Sequence, residues 1–238
     1  MRDNSSEPLI EPGFPNGLRL VNEVSLPPSS RCSSNDINGL LDHVYHTIDI
    51  THPDDYFKKR CVLAPCEDDV DEINDIMLKR FPGDLYEFGS EYGGQCYPED
   101  QLPEGTAFLS LKMGCPVTVL HTGSRGIASK VHGDLFSIKM FSGQEVTVRR
   151  TAVSTIKGAV LLQFPVKLAF AMMIEEAKGE SFNILGLDFR YPSISRYQLS
   201  LALSCAGIDS AGVKYIGHIN MEERQTKKVN RKAVVCLT

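Results

Sequence analysis

The spacing of apolar residues changes twice along this 238-residue chain, and that change constrains the fold more than any other feature. Ile37, Leu40, Leu41, Val44 and Ile48 recur at helical intervals behind Ser34, Asn35 and Asp36, any of which can cap a first turn. Asp49 to Pro53 breaks that helix. Cys61-Val62-Leu63-Ala64 is then a short apolar run stopped by Pro65, and Glu67-Asp68-Asp69 leads into Val70, Ile73, Ile76 and Met77. This predicts a buried strand feeding a helix whose first carboxylates suit the helix dipole and which Pro82-Gly83 ends. Residues 83–105, rich in Gly, Pro and acids, read as a surface connection.

From 107 to 164 the period shortens. Strands are expected at Ala107–Leu111, Val117–Leu120, Leu135–Phe141 and Val146–Arg149, with Ser142-Gly143 turning the last hairpin. Short strands with glycine-bearing turns predict a small β-barrel-like insert or a β-ribbon. Alternation then returns: Val166–Ile174 reads as a strand becoming helix, followed by strand Ile184–Phe189, a helix over Ser193–Ala206 and strand Val213–Ile216. That order predicts α/β architecture with a parallel sheet. Residues 1–33, with scattered prolines and serines and little periodicity, are expected to be a loosely ordered lead-in.

Charge is uneven. The net charge is -5, but residues 1–109 carry -13, residues 110–170 carry +6 and residues 171–238 carry +2. The basic middle can face a polyanion or be an ordinary solvated surface. No stretch reaches the roughly 20 apolar residues of a bilayer span, and the N-terminus lacks a signal-peptide pattern, so an intracellular protein with no membrane partner is expected. The seven cysteines include no C-x-x-C pair, and His43, His46, Cys61 and Cys66 lack the tight spacing of a zinc site, so no metal is expected.

Four segments then resemble one family in its own order. Tyr56 to Asn74 resembles "YFxxRxILAPTNxxVDxIN", which opens the second RecA-like lobe of Pif-one-like (Helitron-type) DNA helicases. Leu109 to Val117 is similar to the "LRLKVGAPVMLL" that starts the family's β-rich insert. Phe164 to Ile174 is similar to "FPLRLAFAMTI", the lead-in to motif V, and Tyr197 to Ser204 resembles "GQLYVALSR", motif VI. Val229 to Val235 resembles the closing strand. The resemblance implies a RecA-like parallel-sheet lobe in four parts: a lead-in with one helix (1–55), the first part of the second lobe (56–104), the β-rich insert (105–164) and the rest of the lobe (165–238). It implies a family activity of ATP-driven DNA unwinding in repair, recombination or transposition, with a nuclear location where that role is kept.

The family's polar sites survive less well than its framework. ATP and Mg²⁺ lie between two lobes in the family, the first supplying a Gly-rich phosphate loop with its Lys. None of the 19 glycines here is followed by lysine. Motif VI ends in an Arg that stabilises transition-state charge, an effect on the order of a thousandfold in rate; here that position is Cys205. Arg196, nine residues earlier, falls on roughly the opposite helix face, at about 100° per residue. Motif V "NKSQGQT" becomes Glu175-Glu176-Ala177-Lys178-Gly179-Glu180-Ser181, whose three carboxylates repel phosphate. In the insert "GLCNGTR" becomes Gly126 to Gly133, and "TN" of the first segment becomes Cys66-Glu67. Gly179, Ser181, Gln198, Ser204 and Cys205 are therefore the expected remnants of a nucleotide site. No catalytic residue and no cofactor are expected in this chain alone, and the missing first lobe is one expected partner. The alternative is a module for single-stranded nucleic acid, with single-stranded DNA weakly bound by Lys112, Arg125, Lys130, Arg149, Arg150, Lys167 and Lys178.

Overall fold

A computed structural model describes residues 26, 28–48, 53–89, 91–92, 95–96, 109–156, 159–190, 194–207 and 212–217. Most of the lead-in, the Asp49–His52 break, the start of the expected Ala107–Leu111 strand and the closing strand at 229–235 lie outside these residues. Helix α1 (Ile37–Tyr45) is capped by Asp36, whose carboxylate accepts from the Gly39 N–H at 2.9 Å. It ends before Ile48. A short helix, α2 (Pro53–Lys58), follows, and Asp54 and Asp55 in its first turn complement its dipole. Strand β1 (Arg60–Ala64) then runs into α3 (Glu67–Arg80), as expected.

The connection after α3 is less irregular than its composition predicts. It carries β2 (Leu85–Phe88), β3 (Glu91–Tyr92) and β4 (Gln95–Cys96), and β2 pairs antiparallel with β5 (Leu109–Lys112). Next come β6 (Pro116–Val119), β7 (Arg125–His132), β8 (Leu135–Met140), β9 (Glu145–Arg149), β10 (Thr151–Ile156), β11 (Ala159–Gln163) and β12 (Val166–Leu168). Five of these form the antiparallel sheet β12-β6-β7-β8-β9, while β10 and β11 continue into β3 and β4.

Strand β7 has no counterpart in the sequence expectation. Its side chains are buried without alternation from Arg125 to Ala128 and alternate only after a register shift between Ala128 and Lys130. A bulge there reverses the facing of all that follows, which removes the period-2 signal.

The expected passage from strand to helix over Val166–Ile174 is corrected. The run is two strands, β12 and β13 (Ala171–Met173), lying in different sheets: β12 pairs antiparallel with β6, and β13 pairs parallel with β1. At the switch, Ala169 N–H donates to Pro116 C=O at 2.9 Å and the Phe170 carbonyl accepts from Val62 N–H at 3.1 Å. Both faces of the run are buried, so its apolar residues carry no period that separates strand from helix.

The remaining elements are β14 (Ile184–Phe189), α4 (Arg196–Ser204) and β15 (Val213–Gly217), completing a parallel sheet in the order β13-β1-β14-β15. Alternate residues divide between its faces. Cys61, Leu63, Leu185, Leu187 and Phe189 pack with α4 through Leu199 and Ala202. Val62, Ala64 and Ala171 pack with α1 and α3, in a cluster continuous with Val117, Ile127, Phe136 and Phe164 of the antiparallel strands. Leu40, Leu41, Val44 and Tyr45 of α1 are all buried, and each large apolar side chain contributes roughly 1.5–3 kcal/mol. Gly186 lets α1 approach this closely, because a Cβ there would lie 3.0 Å from Val44 Cγ2 and 3.1 Å from Val62 Cγ2. No helix among the described residues is long and apolar enough to cross a membrane.

Candidate functional site

In an open parallel sheet, ligands approach the carboxyl ends of the strands. At that edge β1 passes through Pro65-Cys66 into α3, β13 leads into the turn Ile174–Gly179, and β14 ends at Phe189 beside Arg190. Asp188 is 1% exposed on an otherwise apolar strand. Arg190 answers it: Nε donates to the two carboxylate oxygens at 3.0 and 2.9 Å, the backbone N–H donates at 3.1 Å, and Nη2 reaches Glu72 of α3 at 2.8 Å. Next to them the Cys66 thiol donates to Asp69 at 2.8 Å.

Burial, with Asp188 and Glu72 adding and Cys66 and Arg190 opposing, raises the Asp69 carboxyl above its ordinary value. Burial also raises Asp71, and Glu67 and Asp75 add to the effect. The Cys66 thiol is pushed up by burial and by its bond to Asp69, which keeps it protonated. The edge therefore gathers three carboxylates held by internal partners, Asp69, Asp188 and Glu72, beside Glu67, Asp68 and Asp71 at the start of α3.

The turn after β13 completes it. Lys167 Nζ donates to Glu176 at 2.6 Å, so this lysine, expected to touch nucleic acid, is engaged within the chain. Gln198 Nε2 donates to Glu175 at 2.8 Å, while its carbonyl accepts from the Ser195 N–H at 3.0 Å in a capping box that starts α4. Gly179, at φ +91°, supplies the left-handed residue that the turn requires, and Ser181 beyond it is exposed. Cys205 caps the far end of α4 completely buried, its Sγ donating to Ala177 C=O at 3.1 Å and Leu201 C=O at 3.3 Å. Burial raises this thiol too. Ser204 is exposed and donates to Leu201 C=O at 2.7 Å.

Among the expected nucleotide-site remnants, the structure thus joins Gln198 to the 175–179 turn and places Cys205 beneath that turn. Ser204 stands apart. The Cys205 side chain turns onto the Ala177 carbonyl of that turn and the Leu201 carbonyl of α4, and Arg196 lies exposed at the opposite end of the helix. The Asp188–Arg190–Glu72 and Cys66–Asp69 groups were not anticipated. One signal was available, since a lone aspartate inside Ile184–Phe189 demands a buried partner.

The seven expected nucleic-acid contacts separate clearly. Arg125 is corrected: it is 4% exposed, and its Nη2 donates to the carbonyls of Phe57, Arg60 and Ala169, so phosphate cannot reach it. Lys112 Nζ donates to Phe81 C=O at 2.6 Å. Arg150 lies 4.7 Å over the Phe164 ring and donates to Gly89 C=O at 2.7 Å and Gln163 Oε1 at 3.2 Å. Lys130, Arg149 and Lys178 are exposed.

On the outer face of β7, β8 and β9, Lys130 stands in register with Ser137 and Thr147, and His132 with Leu135 and Arg149. Lys139 on the same face pairs with Asp54. Among the described residues no group of three His, Cys, Asp or Glu side chains is placed to hold a metal ion. Arg224, Lys227, Lys228, Arg231 and Lys232 lie outside the described residues.

No protein-family model matches the chain, and no curated protein matches it in sequence. Solved structures do. A structure of two Pif1 helicases coordinating on forked double-stranded DNA superposes with a TM-score of 0.55 at 19% identity, covering 82% of this chain and 50% of that one. Pif1 from Bacteroides bound to single-stranded DNA gives 0.55 at 18% identity, with 82% and 52% covered. Pif1 from Candida albicans gives 0.52 at 19% identity, with 77% and 50% covered. The chain thus spans about half the length of these structures and shares their mixed α/β, RecA-like helicase fold.

Proposed function

We propose that this chain is the second motor lobe of a Pif1-type DNA helicase, with a nucleotide-facing edge that no longer serves ATP hydrolysis. The observation that carries this reading is the carboxyl edge of the parallel sheet. Glu67, Asp68, Asp69, Asp71, Glu72 and Asp188 crowd it, and Arg190 and Lys167 are each held there by carboxylates. Phosphate needs fixed donors with positive charge. Here the carboxylates repel it, and the position where the family places its arginine finger is a thiol turned onto the Ala177 carbonyl.

Nuclear location, a role in DNA repair, recombination or transposition, and pairing with a first lobe follow from the same reading. The purified chain is expected to show no Mg²⁺-dependent ATP turnover above background; turnover that rises with Mg²⁺ and enzyme concentration contradicts the proposal.

A second reading, binding of single-stranded DNA without a motor, rests on Lys130, His132 and Arg149 sharing the exposed face of the antiparallel sheet. Fluorescence anisotropy at two salt concentrations tests it. Salt-sensitive binding that weakens in a K130E/R149E double variant supports a phosphate-contacting face, and absence of binding at low salt removes it.

A further inference from the structure

We propose that Arg125 is the joint that makes the antiparallel strands and the parallel sheet unfold as one cooperative unit. Arg125 belongs to β7, yet every acceptor that the structure gives it lies elsewhere: Phe57 C=O at the end of α2 (3.3 Å), Arg60 C=O at the start of β1 (3.2 Å) and Ala169 C=O between β12 and β13 (3.2 Å). Its guanidinium sits 5.3 Å from the centre of the Phe141 ring, just beyond β8, and 5.1 Å from that of the Phe182 ring ahead of β14, so it lies beside a ring from each region. Among the described residues no carboxylate pairs with it, and Nε and Nη1 are buried without a hydrogen-bond partner.

A buried guanidinium so arranged is a costly way to fill space, and an apolar residue would fill it more cheaply. What the long, always charged side chain supplies is one nitrogen, Nη2, held within 3.3 Å of carbonyls from three separate segments. The Ala169 carbonyl is otherwise hard to satisfy, because the chain leaves one sheet for the other at Ala169-Phe170 and the ladder is interrupted there. Two further side chains serve the same crossing. Asn74 of α3 accepts from Ala171 N–H at 2.9 Å and donates to Leu168 C=O at 3.3 Å, and Tyr45 of α1 donates to Phe170 C=O at 2.5 Å. Asn74 and Tyr45 belong to the helices of the parallel sheet, whereas Arg125 is the member supplied by the antiparallel strands.

Hydrogen exchange read by mass spectrometry on the full chain tests this, comparing the slowest amides of β7 and β8 with those of β1 and β14. In the unaltered chain the two sets are expected to exchange at a common rate. In Arg125→Met the β7–β8 set is expected to exchange at least about tenfold faster than the β1–β14 set, because the antiparallel strands then open by themselves. Phe136→Ala, which thins the antiparallel core away from the crossing, is expected to accelerate both sets together. The proposal is overturned when Arg125→Met moves both sets equally or neither, or when the unaltered chain already shows two rates. Should Arg125→Met fail to fold, Arg125→Gln decides: its shorter side chain stops short of the three carbonyls, so separated rates uphold the joint and a common rate overturns it.

Discussion

Arg125 and Arg190 are the same residue in opposite settings, and the contrast separates the part of this molecule that makes the fold from the part that sets its chemistry. Arg125 lies where the two sheets meet, beside the Phe141 and Phe182 rings, and its bonds are to backbone carbonyls. Arg190 lies at the open carboxyl edge and bonds to Asp188 and Glu72. The first positive charge satisfies a crossing of the chain; the second neutralises acids. Neither is placed to meet phosphate, so a count of basic residues does not locate a nucleic-acid surface in this fold.

The largest effect is expected on the crossing side. Phe170 packs edge-on against Tyr45 and Phe57 and is completely buried, so Phe170→Ala should cost about 3–5 kcal/mol in denaturant unfolding. A cost under about 1 kcal/mol would mean that the two sheets do not share this core. At the edge, Arg190→Ala leaves Asp188 buried without its main partner, and a loss on the order of 3 kcal/mol is expected by the same measurement. If instead stability is unchanged, water reaches Asp188 and the edge is open.

Ser195→Ala removes the capping box of α4 and should cost about 1 kcal/mol, read as a shift of the urea midpoint at constant slope. The edge should also respond to pH. Asp69 and Asp71 hold protons more tightly when folded than when unfolded, so their contribution favours the fold in acid and is lost as pH climbs from 3.8 through the raised folded values. Asp69→Asn should therefore flatten the fall in stability over that window. The smallest effect belongs to the exposed strand face: Arg149→Ser should change stability by less than about 0.5 kcal/mol.

The same contrast marks what was legible in the sequence. β1, α3, β14, α4 and β15 announce themselves through apolar runs, acidic helix starts and a capping pattern, because each has to bury one face or both. Hidden were α2, whose first residue Pro53 reads as the end of the Asp49–Pro53 break, and β7, where a bulge cancels the alternation. The crossing was hidden as well, since an apolar run such as Val166–Ile174 is silent about which of two sheets each half joins.

The altered site residues were legible as substitutions, with Cys205 and Glu175–Glu176 standing where the family resemblance places Arg and polar residues. Their partners were not. The ion pairs of Lys167 with Glu176 and of Arg190 with Glu72 span nine and 118 residues, and only the fold brings such groups together.

The most direct test of a closed nucleotide edge is equilibrium titration of the purified chain with a fluorescent ATP analogue and Mg²⁺. No saturable signal into the millimolar range is predicted. Saturable binding at micromolar concentration that unlabelled ATP displaces, and that requires Mg²⁺, would contradict it.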